Sequence, residues 1–76
     1  MFKQELQDLF TNMPQQVQEK LKPITENLLE RAGEVDAFAA DDPDYYENEK
    51  ELIMKEVRKV KYINDQWQIM NSGRNN

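Results

Sequence analysis

A chain of 76 residues with no cysteine, no histidine, two glycines and a net charge of −5 is one small domain at most. It forgoes the usual nucleophile, the usual general base and the commonest metal ligands. At this size folding buries only ~60–65% of the unfolded chain's surface, a thin core from which to build a catalytic pocket, so the composition points away from an enzyme.

The first element is read from Phe2, Leu6, Leu9 and Phe10, whose spacing is that of a short amphipathic helix. Glu5 and Asp8 oppose Lys3 on its polar side, so the apolar side is expected to pack inward and not to lie on a membrane. Pro14 follows Thr11 and Asn12 at a position suited to the first turn of a second helix, where the missing N–H has no partner to lose. Val17, Leu21, Ile24 and Leu28 then keep a four-three-four rhythm, and Gly33 is the expected stop. Pro23 interrupts this helix and crowds the carbonyl of Glu19, at a cost of ~3 kcal/mol in an unbent helix. The apolar register passes Pro23 without a phase shift, which favours a kinked but continuous helix over a break at Lys22.

Residues 34–42 form the connector, with Val35 and Phe38 placed to tuck against the helices. Asp42-Pro43 reads as a helix start: an aspartate cap, proline at the first position, then Asp44 and Glu47 at the positive end of the dipole. From there Tyr46, Ile53, Val60 and Trp67 recur every seven residues, joined by Val57, Ile63 and Met70, and predict one long third helix to about Met70 with a continuous apolar seam. The polar stretch 71–76 reads as a disordered tail behind a single helical domain over 1–70. No period-two alternation persists, so the fold class is all-α: a short first helix, a proline-kinked second and a long third. Either the first two helices lie end to end along the third, or the far end of the third overhangs and dimerises through its seam.

Residues 34–51 hold eight acids against Lys50 alone, a local charge of −7 that leaves +2 elsewhere. Such a patch attracts basic surfaces, including those that handle nucleic acid, although a solvated connector and a favourably charged helix start account for the same acids. No calcium loop fits: counting from Asp42, Asp44 holds the third place but Tyr46 and Glu47 hold the fifth and sixth, where a ligand and a glycine are needed. Lys55, Arg58, Lys59 and Lys61 form a basic run, yet Glu51 stands four residues before Lys55 as an intrahelical pair, and the acidic balance disfavours direct DNA or RNA binding. Tyr45, Met54 and Tyr62 stand off the seam and are the candidates for an outer contact face.

A short, acidic, cysteine-free helical chain is similar in composition to phage-encoded inhibitors, antitoxins, immunity proteins and small assembly factors. That similarity carries over no functional positions. No apolar run nears the ~20 residues that span a bilayer, and Met1-Phe2-Lys3-Gln4-Glu5 lacks a secretory pattern. The expectation is a cytoplasmic protein of a bacterium or phage-infected cell, without cofactor or metal. It would use Asp41, Asp42, Asp44, Tyr45, Glu47, Glu51, Met54 and Tyr62 to bind and inhibit or regulate a larger protein at a basic surface. The alternatives are a self-assembling scaffold or assembly factor held by the third-helix seam and, second, an antitoxin or immunity-type protein.

Overall fold

The apolar spacings close into three helices in the computed structural model, which describes residues 1–74: α1 (Phe2–Thr11), α2 (Gln15–Asp36) and α3 (Pro43–Arg74). There is no strand among the described residues. At 1.5 Å per residue α3 is about 48 Å long, and it sets the long axis of a body measuring 53 × 17 × 16 Å.

Of the two expected arrangements, the end-to-end placing of α1 and α2 along α3 is not adopted. Instead, α1 folds back antiparallel on α2, so that its first residues stand beside the last residue of α2. The turn at Asn12–Pro14 is closed by the Gln18 side-chain amide, which donates to the carbonyls of Met13 (2.6 Å) and Thr11 (3.2 Å). At the other end the N–H groups of Phe2 and Lys3 donate to the two carboxylate oxygens of Asp36, at 3.2 and 2.9 Å. Met1 supplies no side-chain cap, so the first two orphan donors of α1 are satisfied from across the hairpin, while the Glu5 N–H donates to the Met1 carbonyl. The same carboxylate places negative charge at the positive end of the α1 dipole.

One core joins all three helices. Phe2, Leu6 and Phe10 of α1, Met13 of the turn, Val17, Leu21, Leu28, Ala32 and Val35 of α2, and Ile53, Val57 and Val60 of α3 are all buried. α2 departs from expectation twice. Thr25, not Ile24, takes the inward slot between Leu21 and Leu28, and Ile24 is exposed. A four-residue step from Leu21 stays closer to the inward line than a three-residue one, and the Thr25 hydroxyl is satisfied locally by donating to the Lys22 carbonyl at 3.3 Å.

Nor does Gly33 end the helix; α2 runs through it to Asp36, and no glycine has positive φ among the described residues. Gly33 lies where α1 crosses, and a Cβ there would meet Cδ of Lys3 at 3.2 Å. The helix closes instead through i→i+3 bonds, Phe38 N–H to Val35 and Ala39 N–H to Asp36. Pro23 sits inside continuous α2, not at a break, and is exposed along with Glu19. The carbonyl that loses its partner is therefore on the wet side, where water replaces the bond.

α3 also exceeds its expected end: residues 71–74 of the expected tail are helical, while Asn75 and Asn76 lie outside the described residues.

Two substitutions test this frame. Asp36→Ala should cost about 1–2 kcal/mol and raise amide exchange through α1 selectively, with Asp36→Asn milder. Gly33→Ala should raise stability by about 0.5–1 kcal/mol in urea denaturation, because the exposed Lys3 stem can swing aside while the helix gains a better former.

Candidate functional site

The connector acids gather where α2 hands over to α3. Asp41 and Asp42 are exposed in the turn and Asp44 in the first turn of α3. Asp42 acts as the cap expected of it. Its Oδ1 accepts from the Tyr45 N–H at 3.1 Å, and its carbonyl accepts the Tyr46 N–H at 3.0 Å. Phe38 differs from expectation. While Val35 is buried, Phe38 remains 47% exposed and stacks on Tyr45, with ring centroids 5.3 Å apart and planes within 7°. The tight connector between Asp36 and Pro43 leaves no length to swing Phe38 back onto the core, so it finds its partner on the surface. An exposed aromatic pair thus stands among Asp41, Asp42 and Asp44.

The remaining candidates divide. Glu47 and Glu51 are exposed further along α3. The partner of Glu51 is Arg58 and not Lys55, with Nη2 donating to Oε1 at 3.3 Å. Two turns of helix return almost to the same side, and the long arginine fork spans them. Both groups are more than half exposed, so the pair adds little to stability. Met54 is not on an outer face; it packs against the core. Tyr62 is exposed but lies about 25 Å along α3 from Tyr45, too far to share one patch.

The seam is split as well. Ile53, Val57 and Val60 are buried, Tyr46 and Trp67 pack at the rim, and Ile63 and Met70 are exposed. The reason lies in the steps: Val57 to Val60 to Ile63 is two three-residue steps in succession, which together rotate a side chain about 120° off line. Asn64, half-buried, takes the inward slot, and Met70, seven residues after Ile63, inherits the outward direction.

Two anchoring residues escape a reading of the sequence, Asp36 and Lys50. Asp36 caps α1 from the far end of α2. The Lys50 ammonium lies over two rings, 5.4 Å from the centroid of Phe2 and 5.6 Å from that of Tyr46. The Tyr46–Lys50 spacing of four residues is visible in the chain; the approach of Phe2 is not. A shallow groove between α1 and α2, lined by Lys3, Gln7, Glu26, Glu30 and Glu34, opens to solvent. Among the described residues no three carboxylates are grouped to hold a cation, and no helix is long and apolar enough to cross a membrane. Compared with protein families, with curated proteins and with solved structures, the chain matches none.

The split between capping and free acids has a measurable consequence. Asp42→Ala should lower stability by about 1 kcal/mol, whereas Asp44→Asn and Glu47→Gln, which remove no capping bond, should stay within about 0.5 kcal/mol in thermal unfolding.

Proposed function

We propose that this protein is a non-enzymatic interaction module. It docks the acidic end formed by the α2–α3 turn onto a basic, nucleic-acid-handling surface of a larger protein and blocks or regulates it, in the manner of phage-type inhibitors. The observation that supports this reading is the exposed Phe38–Tyr45 stack set among Asp41, Asp42 and Asp44. Aromatic pairs supply large contact area with few rotors to immobilise, and a carboxylate surround steers and orients a cationic partner. Glu47 and Glu51 extend the negative field along α3, with Glu51 exchanging Arg58 for a cation of the partner. Blocking would follow from occupancy, since carboxylates placed where phosphates normally bind compete for the same arginines and lysines.

A second reading, self-assembly through α3, is favoured by the exposure of Ile63 and Met70, although Ile53, Val57 and Val60 are engaged in the core and take no part in it.

The docking reading is tested with a captured partner. Affinity should fall at least about tenfold between about 0.05 M and about 0.5 M salt, mainly through slower association. A triple Asp44→Asn/Glu47→Gln/Glu51→Gln variant should lose most of that salt dependence while keeping the wild-type helical signal. An affinity indifferent to salt and to these substitutions excludes the mechanism.

A further inference from the structure

Met70 is 68% exposed, and Leu52 and Ile63 are 48% and 47% exposed, with Tyr45 close behind. These residues share a flank of α3. At about 100° per residue, all four fall within roughly 20° of one another around the helix axis. The flank is not the one that α1 covers. Lys50 marks the α1 side through its approach to Phe2, and the stripe lies about 150° around from it. Between the four apolar residues the same line passes Glu49, Glu56, Lys59 and Gln66. In chain order, Tyr45, Glu49, Leu52, Glu56, Lys59, Ile63, Gln66 and Met70 step by three or four residues at a time, which makes a second seam beside the buried one.

This seam is symmetric about the point between Val57 and Arg58. We propose that it is the interface of an antiparallel homodimer in which α3 pairs with α3 of a second copy about a two-fold axis at that point. Every layer then matches: Tyr45 meets Met70 of the other copy, Leu52 meets Ile63, Glu56 meets Lys59, and Glu49 meets Gln66. Apolar residues face apolar ones, and the one acid–base layer joins Glu56 to Lys59, which already lie 3.5 Å apart within a chain. A two-fold contact must use one self-complementary surface, and this spacing is such a surface.

Charge decides the direction. Residues 43–57 carry five acids against two lysines, while 58–72 carry three bases against one acid, so antiparallel packing lays the negative half of each helix on the positive half of the other. In a parallel, in-register pair Glu49 would face Glu49, Glu56 would face Glu56 and Lys59 would face Lys59, and like charges in a seam are repelled. Asp44, Glu47 and Glu51 lie about 90° or more around α3 from the stripe, so the dimer presents two acidic ends, roughly 38 Å apart by helix rise.

Sedimentation equilibrium at several hundred micromolar tests the assembly. The wild-type chain should sediment at twice its 9.1 kDa mass. Leu52→Glu or Ile63→Lys alone, each placing two unpaired charges in the seam, should weaken the dimer at least about a hundredfold. The double variant Leu52→Glu/Ile63→Lys should recover most of that loss, because the introduced carboxylate meets the introduced ammonium of the other copy only in the antiparallel register. Circular dichroism verifies folding, which these half-exposed positions should tolerate. Because the chain has no cysteine, a second readout avoids the apolar positions. Glu49→Cys and Gln66→Cys chains, mixed and oxidised, should give the mixed disulfide in preference to either homodimer. A wild-type monomer, a trimer or larger species, single variants that still dimerise, a double variant without recovery, or homodisulfides as the main product would each overturn the proposal. Since these readouts concern self-association and not salt-sensitive docking, the two hypotheses fail independently.

Discussion

The architecture depends on one stripe of α2 that serves two helices at once. Val17, Leu21, Leu28, Ala32 and Val35 supply nearly all of that helix's buried apolar surface, and both α1 and α3 pack against it. Small residues make the double duty feasible. Ala32 is fully buried, and Gly33 leaves room for the Lys3 stem of α1 beside the backbone. A larger side chain in place of Ala32 would push the packed helices apart and loosen the core around Phe2, among the largest fully buried side chains. In a chain of this size, where stability is a small difference of large terms, losing one aromatic from the core is a sizeable fraction of the total.

The α1–α2 hairpin is held at both ends by polar groups, with apolar packing between. Gln18 closes the turn, and Asp36 takes up the amide donors at the start of α1. A ten-residue helix has too few internal bonds to persist alone in water. Its existence is therefore tertiary, conferred by three buried side chains and a cap that comes from 33 and 34 residues away. The same logic places Asp36 and Asp42 apart from their neighbours: these two carboxylates are committed to backbone donors, leaving Asp41 and Asp44 at the surface for other contacts.

α3 is treated differently along its length. Its earlier part shares the core through Ile53, Val57 and Val60, whereas Ile63, Ile69 and Met70 face solvent. A three-helix body with so short an α1 covers only one side of the α2–α3 pair, and on the opposite flank Leu52, Ile63 and Met70 remain about half exposed or more, while Tyr45 stacks on Phe38. Exposed apolar residues at regular spacing are less easily dismissed than scattered ones, and their alternation with charges gives the surface directional information. Asp44, Glu47 and Glu51 occupy different angles of α3 from this flank, with Tyr45 standing where the two meet, so one rod can present two chemically distinct faces.

Much of the local structure was legible in the chain. Apolar steps of three and four residues and the Asp42-Pro43 start determined the presence of three helices, because periodicity, the proline ring and capping act over a few residues. Continuity through Pro23 followed from the unbroken register for the same reason. The fold-back of α1, the burial of Thr25 in place of Ile24, the passage of α2 through Gly33, the surface stacking of Phe38 and the outward turn of Ile63 and Met70 required the assembled body. Each depends on which of several nearly equivalent directions around a helix meets another helix, and on contacts between residues tens of positions apart. A single helix's spacing says that a face will be buried; only the packing partner selects how wide that face is and where it ends.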